Sequence, residues 1–420
     1  MADVTGLSAI KSVLATANYR NYTIGNFASQ LGMWVQRIAI AWLTWELTKS
    51  PFWLGVMAMA DFMPNIFLAP LAGALADRID RLQAIRLYMC ISAAISAAIA
   101  FLVITDLITI EILLALVLAN GITMSFNFPV RLSIIHSLVR HDALTTAISI
   151  NAIAFNVARI GGPALSGQLI SQLGIGFAVG FTVFADLVFV VMLYLVQLAQ
   201  NSNKKKKKEQ ATNVWTDILE GFKYVGGHPG IGPLLIVLAF YSIFGRPFIE
   251  LFPAFADEIF DQGVNGLATL TSVLGLGSIV GSLFLARRSG IRGLTNLLIF
   301  NVLLLSLSVI GFGSTSIYFF ALICTFIGGI AIVMIGVIEQ TLLQSAVDDA
   351  MRGRILSFYT LIARGCPSIG ALGAGALAEI VGLQLSVIVG AFLCVVLWIW
   401  AFMKRNTLAS NLEAKPTPDE

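Results

Sequence analysis

Seven charged side chains lie well inside long apolar stretches of the sequence: Arg37, Arg159, Arg246, Arg364, Asp61, Asp186 and Glu250. Placing one such charge at the centre of a lipid bilayer costs about 2.5–3.5 kcal/mol on insertion scales. Membrane proteins therefore keep intramembrane charges mainly where these bind a substrate, carry a proton or pair with one another. These seven residues are the starting point for predicting a function.

The three acidic residues are candidates for carrying a proton across a membrane. A carboxylate can do this when its proton affinity changes with the charges and water around it. Asp61 is the first candidate, and Arg37 on the preceding apolar stretch is its expected partner. Glu250 is the second, although Arg246 lies four residues before it and would neutralise it on one helix face. Asp186 is the third. All three histidines lie outside the apolar stretches, so no histidine relay is predicted.

The composition predicts the elements that must hold these charges. Of the 420 residues, 58% are hydrophobic and 12% are charged, with a mean hydropathy of +0.88. The apolar residues form blocks of about twenty or more, which fits helices that cross a bilayer and not the alternation of a membrane barrel. We predict an all-α polytopic membrane protein. The twelve predicted spans are 22–46, 52–76, 83–105, 109–130, 143–169, 175–198, 231–256, 265–286, 293–313, 316–340, 355–378 and 382–403.

The charge pattern predicts the orientation of these spans. Most of the 26 lysines and arginines fall in loops on one side of the arrangement. Positive loops stay in the cytoplasm, so both termini and the central linker are predicted to be cytoplasmic, in a bacterial inner membrane. The net charge of +3 follows from this topology and gives no reason to expect nucleic acid as a partner. No cleaved signal, disulfide, metal site or cofactor is expected.

The longest polar interruption, 201–213, divides the chain. It carries five consecutive lysines, Lys204 to Lys208, which either form a solvated topological anchor or rest on anionic lipid headgroups. Apolar residues then recur at helical spacing over 214–226, predicting an amphipathic helix at the membrane surface or under the bundle. The predicted organisation is a six-helix half at 1–200, a linker at 201–230, a second six-helix half at 231–405 and a cytoplasmic tail at 406–420.

The two predicted halves repeat one another at an offset of about 208 residues. The stretch 134–139 aligns with 342–347, and each is followed closely by an Asp-Ala pair and an apolar residue. Arg37 in the first span corresponds to Arg246 in the seventh. Matches at a nearly constant offset, with six spans between them, predict two parallel six-helix pseudo-repeats.

The loop between the second and third spans has a specific pattern. Gly73, Asp77, Arg78 and Arg81 fit the glycine, aspartate and arginine positions of a loop signature of the major facilitator superfamily, which this loop resembles; Asp80 departs from it, since glycine is usual there. The resemblance implies the twelve-helix fold of that superfamily, secondary transport by alternating access and a conformational-switch role for the loop. The alternative is a purely topological loop, because short cytoplasmic loops commonly collect Arg and Asp.

This resemblance also implies roles for the intramembrane residues. The first and seventh helices line the central cavity in this superfamily, so Arg37 and Arg246 are expected to contact substrate. The expected cavity residues are Gln30, Trp34, Arg37, Asn120, Arg246 and Glu250. The first three share one face of the first span. Arg159 and Arg364 are expected to tie helices together.

A second motif lies in the fifth span. Gly162, Pro163 and Gly167, with Arg159 upstream, resemble the end of the helix 5 motif of drug–proton antiporters, although Ser166 replaces a glycine. The alternative is that these residues only pack and bend a membrane helix. The fourth span lacks the arginine that those antiporters use in coupling. The stretch 127–156 resembles the enterobactin-exporter and macrolide-efflux branch of the superfamily.

We therefore predict a secondary exporter of a small organic molecule, drug-like or siderophore-like, driven by proton antiport and working as a monomer in the lipid bilayer. The alternative is an importer or exchanger of a small anionic metabolite. A membrane-embedded enzyme would need a His-rich metal motif or a nucleophile and base near a membrane face, and the sequence offers neither. No catalytic residue is expected.

The predicted topology can be tested by labelling. In a variant without native cysteines, single cysteines at Asn203 and Gln262 should react with an impermeant thiol reagent from opposite sides of the membrane. The linker cysteine should react from the cytoplasmic side only. Labelling of both from the same side would contradict the twelve-span arrangement.

Overall fold

The computed structural model describes residues 7–76, 79–140, 143–197, 220, 223–288, 290–348 and 351–413. Among these residues the chain forms helices and turns, and none forms a strand. The lysine run at Lys204 to Lys208 and most of the predicted amphipathic helix at 214–226 lie outside the described residues, as do Asp77 and Arg78 of the loop signature.

The described residues before the linker form seven helices. They are α1 (Leu7–Ala15), α2 (Ala17–Thr48), α3 (Pro51–Ala76), α4 (Arg81–Ile104), α5 (Ile110–Leu138), α6 (Leu144–Leu173) and α7 (Ile175–Tyr194). The part after the linker forms α8 (Ile231–Phe240), α9 (Gly263–Ala286), α10 (Leu294–Gly313), α11 (Tyr318–Ala346), α12 (Arg352–Val381), α13 (Leu383–Met403) and α14 (Arg405–Leu412).

The described helices include eleven segments long and apolar enough to cross a membrane. The predicted first span is not among them, although α2 is 32 residues long and contains it. The reason is its polar content, since buried residues of α2 include Asn26, Ser29, Gln30 and Gln36. With α2 as the twelfth long segment, the predicted all-α polytopic fold is confirmed.

The seventh span, Ile231–Ile259, is not a regular helix. After α8 the chain forms a π-helical turn at Tyr241–Gly245, a 3₁₀ turn at Pro247–Ile249, one α-turn at Phe252–Ala254 and a second π-turn at Phe255–Ile259. Two prolines contribute to this, because Pro247 and Pro253 have no N–H to donate. The sequence argument that Arg246 and Glu250 share one face assumed an uninterrupted α-helix, which the structure does not have there.

The described residues cluster into two compact units. The first comprises Met1–Lys49, Ala60–Lys206 and Gln262–Ser272, and the second Ser50–Met59, Lys207–Asp261 and Val273–Glu420. In the first unit, α2 packs against α6 and α7, and α4 against α5 and α7. In the second unit, α10 packs against α11 and α13, and α12 against α13 and the π-turn at Tyr241–Gly245.

Side chains cap several helix ends. Asp80, the residue that departs from the loop signature, is the N-cap of α4 and accepts a hydrogen bond from Gln83 N at 2.9 Å. Arg81 is the first residue of α4 and donates to Ser137 Oγ on α5 at 3.5 Å. Gly73 lies in the last part of α3. A carboxylate at a helix N-terminus satisfies free N–H groups and complements the helix dipole, so Asp80 explains where α4 begins.

The residues directly after the last span pack against other helices of the second unit. Leu408 and Leu412 of α14 are buried. The Glu413 carboxylate, one residue later, accepts hydrogen bonds from Gly293 N at 2.5 Å and Thr295 N at 2.7 Å. These N–H groups belong to the start of α10, so Glu413 caps that helix.

The start of α8 has a different cap. His228 Nδ1 accepts hydrogen bonds from Gly230 N at 3.1 Å and Ile231 N at 3.2 Å. Nearby, Tyr224 donates its hydroxyl proton to Asp348 Oδ2 at 2.8 Å. The imidazole can accept these bonds only while Nδ1 is unprotonated, so the cap depends on the charge state of His228.

We predict that acid weakens this cap. Burial lowers the pKa of His228 from its ordinary 6.5, with Asp348 acting in the opposite direction. The folded chain therefore binds fewer protons at this site than the unfolded chain, and the free energy of unfolding falls as the pH drops through about 6.5. His228→Asn keeps an acceptor at the helix end but does not titrate. Thermal unfolding should show a smaller loss of stability in acid for this variant than for the wild type. Equal losses would contradict the role of His228 as a titrating cap.

Candidate functional site

An aromatic and cationic cluster lies in the first unit, around Trp34 of α2. The guanidinium carbon of Arg37 lies 5.7 Å from the centre of the Trp34 ring, and that of Arg159 lies 5.9 Å from it. Phe155 meets the same ring edge-on with the centroids 6.0 Å apart, and Arg37 also lies 5.1 Å from the ring centre of Phe62. These five residues form the Trp34 cluster. Guanidinium groups are attracted to aromatic faces at these distances.

The glycine motif of α6 explains how this cluster is built. A Cβ atom at Gly162 would overlap Cβ of Trp34, so only glycine allows α6 to approach α2 so closely here. Ser166, which replaces a glycine of the motif, donates its hydroxyl proton to the Val35 carbonyl at 3.0 Å. Gly167 is similarly close to Ala268. Pro163 lies inside the helix.

Arg159 was expected to tie helices together. Its guanidinium lies over the same indole as Arg37, so both arginines reach one side chain. The cluster therefore combines two positive charges with aromatic surface, a combination suited to a planar or anionic group.

A polar chain runs from Arg131 to Gln30 beside the cluster. Arg131 Nη2 donates to Asn26 Oδ1 at 2.5 Å, and Asn26 Nδ2 donates to Asn151 Oδ1 at 2.7 Å. Gln30 Nε2 donates to the same Asn151 oxygen at 3.3 Å. The buried Gln30 Oε1 and Trp34 Nε1 atoms have no hydrogen-bond partner among the described residues. Both atoms can therefore serve a bound molecule, one as an acceptor and the other as a donor.

Asp186 is held by hydroxyl groups from two other helices. Its side chain is 3% exposed. Oδ1 accepts a hydrogen bond from Ser29 of α2 at 3.0 Å, and Oδ2 accepts one from Ser92 of α4 at 3.2 Å. Ser92 also lies 3.3 Å from Oδ1 of Asn120. The structure thus brings together a predicted cavity residue, Asn120, and a predicted proton carrier, Asp186, in a hydrogen-bonded group.

The other predicted carboxylates have different environments. Asp61 and Glu250 are both half-buried, and each makes interactions with its surroundings. Near Asp61 the helices approach closely, because a Cβ at Gly121 of α5 would lie 2.8 Å from the Asp61 carbonyl oxygen. Arg364 on α12 is exposed on the protein surface of its unit.

Sequence reasoning missed Glu339 in the second unit. The predicted tenth span ended at 340, which placed Glu339 at the membrane edge, whereas α11 continues to Ala346. The side chain is 1% exposed. Arg246, Tyr241 and Tyr359 lie close enough to this carboxyl group for the ionised form of each to affect it electrostatically. The helix that carries Glu339 is longer than a bilayer crossing requires, and this extra length was the signal that could have revealed the residue.

Among the described residues, no group of three or more His, Cys, Asp or Glu side chains could hold a metal ion.

The helical arrangement has the fold of known membrane transporters. A crystal structure of the nucleoside transporter NupG matches this chain with a TM-score of 0.72 at 15% identity, covering 92% of this chain and 98% of that one. At this identity the likeness concerns the fold alone.

The sequence comparison gives the family. A family model described as transmembrane secretion effector matches residues 9–417, and the chain belongs to this family of major facilitator superfamily transporters. The staphyloferrin A transporter of Staphylococcus aureus is 23% identical over 370 residues, covering 85% of this chain and 89% of that protein. The enterobactin exporter EntS of Shigella flexneri is 23% identical over 366 residues, covering 85% of each. The predicted resemblance is confirmed, and the protein is a multi-pass membrane transporter.

The close approach at Gly162 can be tested with its neighbour as a control. Gly162→Ala should push Trp34 out of position and destabilise the protein by about 1–3 kcal/mol, as overpacking does. Gly161→Ala should have little effect, because the nearest atom to its new Cβ would be Leu31 Cδ1 at 3.9 Å. Thermal unfolding of the two purified variants measures the difference. Equal stability of both would show that Gly162 is not required for this packing.

Proposed function

We propose that this transporter exports a small organic molecule, drug-like or siderophore-like, in exchange for protons by alternating access. The observation that carries this proposal is the Trp34 cluster, in which Arg37 and Arg159 lie over one indole. An aromatic surface flanked by two cations attracts a planar group that carries negative charge. The expected substrate is therefore an anionic molecule with an aromatic or conjugated part.

The polar atoms around the cluster support recognition of such a molecule. Within the described part of the chain, Trp34 Nε1 is a buried donor without a hydrogen-bond partner, and Gln30 Oε1 is a buried acceptor without one. Leaving a buried polar group unpaired costs about 1–3 kcal/mol, so a ligand that pairs with both groups gains affinity and specificity.

The direction of transport is proposed from the relatives. One of them is named as an enterobactin exporter, and outward transport by this chain is inferred by analogy with it. The second candidate function is import of an anionic metabolite, which would use the same two arginines, Arg37 and Arg159. The expected location is the bacterial inner membrane, with both termini in the cytoplasm and one chain as the working unit.

Coupling to protons needs a carboxylate whose environment changes during transport. Asp61 is the first candidate because Phe62, the next residue on α3, lies against Arg37. A change in the Trp34 cluster would thus alter the charge near Asp61. Asp186 and Glu250 are the other candidates from the sequence. The loop residues Gly73, Asp77, Arg78 and Arg81 are proposed to stabilise one end state of the cycle.

The proposal can be tested in membrane vesicles with naphthalene-1,5-disulfonate as a probe. This planar dianion keeps its charge at all working pH values and does not cross a bilayer unaided. Everted vesicles with an acidic interior should accumulate it, and a protonophore should abolish the accumulation. Trp34→Ala should prevent uptake, whereas Trp398→Ala, in the second unit, serves as the size-matched control.

Each alternative gives a different result in this assay. An importer accumulates the probe in right-side-out vesicles instead. Accumulation that continues in the presence of the protonophore would contradict proton coupling. Transport of ethidium in place of the dianion would contradict the anionic substrate class. Asp61→Asn should bind the probe but lose accumulation against a gradient; if it still concentrates the probe, the proton site is another carboxylate.

A further inference from the structure

Glu339 is buried without any hydrogen-bond donor. Its side chain is 1% exposed, and in the part of the chain that the structure describes neither Oε1 nor Oε2 has a hydrogen-bond partner. Buried polar groups in proteins almost always have partners, and an ionised carboxylate without one is especially costly in an apolar region. A carboxyl group that carries a proton avoids most of this cost. The position therefore needs an explanation other than packing.

The cation that acts on Glu339 is Arg246, which lies on the interrupted seventh span. Its Nη1 donates to the Ala363 carbonyl of α12 at 3.3 Å, while its buried Nε has no hydrogen-bond partner. The guanidinium interacts electrostatically with Glu339, yet no hydrogen bond joins the two. The cation and the carboxyl group thus lie near each other without contact, and each has an unused hydrogen-bonding atom.

Two phenols complete the surroundings of Glu339. Tyr241 comes from the π-turn of the seventh span and Tyr359 from α12. The Tyr359 hydroxyl donates to the Gly336 carbonyl at 3.1 Å, so its proton is not used by Glu339. Among the described residues of the elements packed against α11, Arg246, Tyr241 and Tyr359 are the titratable groups that interact electrostatically with this carboxyl group, and α10 and α14 contribute none.

The backbone on both sides of Arg246 is irregular. Arg246 directly follows the π-turn Tyr241–Gly245 and precedes the 3₁₀ turn Pro247–Ile249. Such π-turns and broken membrane helices recur at functional sites because a small change in winding moves side chains without breaking a regular helix. Further along the same span, Phe255 packs against Phe312 with the ring centroids 4.7 Å apart. The irregular segment at Arg246 therefore lies next to a firmly packed one.

We propose that Glu339 is the proton-binding group of the second unit and that Arg246 is the cation that replaces the proton. In the arrangement described here, the carboxyl group carries the proton and stands apart from Arg246. When its O–H bond breaks and the proton leaves to water, the carboxylate attracts Arg246, which exchanges the Ala363 carbonyl for a salt bridge. The interrupted span moves with Arg246, so proton loss becomes a change of conformation.

The pseudo-repeat supports a special role for this position. At the offset of about 208 residues, Glu339 corresponds to Arg131 of the first unit. Arg131 is fully engaged there, through Asn26 and through the face of Phe189, 4.9 Å from its guanidinium carbon. One repeat thus has a satisfied cation where the other has a carboxyl group without a partner.

Infrared spectroscopy tests the proton on Glu339 without a substrate. The full-length protein in liposomes should show the band of a protonated carboxyl group free of hydrogen bonds, and raising the pH should remove it. Glu339→Gln should lack this band, Glu339→Asp should keep one, and Glu111→Gln, which changes an exposed carboxylate, should resemble the wild type. Arg246→Gln should lose the band at higher pH, because the cation no longer favours the ionised form. A band that persists in Glu339→Gln would overturn the proposal.

A transport assay tests the consequence, which rests on the proposed proton-coupled export. Proteoliposomes with an imposed pH gradient should accumulate naphthalene-1,5-disulfonate with the wild type, and Glu339→Gln should lose this accumulation while keeping exchange at equal pH. Equal accumulation by both proteins would overturn the role of Glu339 and leave the proposed function standing. If the wild type does not accumulate the probe in response to the gradient, the proposal of proton-coupled export is contradicted. The infrared result still decides whether Glu339 binds the proton.

Discussion

The cost of an ionised group in an apolar interior governs the arrangement of this protein. Each interior charge needs hydrogen-bond donors, an opposite charge or an aromatic face, because lipid and packed side chains provide none of these. In the first unit, two hydroxyl groups hold Asp186, and an indole holds Arg37 and Arg159. In the second unit, Nε of Arg246 and both carboxyl oxygens of Glu339 lack a hydrogen-bond partner among the described residues. We infer that the unsatisfied pair is the part that changes during transport.

This contrast gives the two units different tasks. In the Trp34 cluster the two cations lie against aromatic surface, which suits the recognition of a substrate. A charge with few partners is sensitive to protonation and to small movements of the backbone. The interruption of the seventh span places Arg246 between a π-turn and a 3₁₀ turn. Substrate binding at the Trp34 cluster and proton binding at Glu339 can therefore be tested by separate mutations.

The sequence predicted the fold well and the partners of its charges poorly. The apolar blocks were sufficient to predict the long membrane helices, because these depend on segment averages. The contacts depend on helix rotation and local winding, which averages do not contain. Arg246 and Glu250 looked like one helical face until the π- and 3₁₀-turns of the seventh span intervened. Glu339 was overlooked because α11 extends beyond the length that a bilayer requires, and Asp80 looked like a defect in a signature although it caps α4.

A double-mutant cycle of Arg246→Gln and Glu339→Gln tests the central claim most directly. Thermal stability of the wild type, both single variants and the double variant should be measured in acid and in alkali. Our account predicts additive effects in acid, where Glu339 keeps its proton, and an interaction of about 0.5–3 kcal/mol in alkali, where the ionised carboxylate pairs with Arg246. Additive effects at both pH values would contradict it, because the two side chains would then not act as a pair.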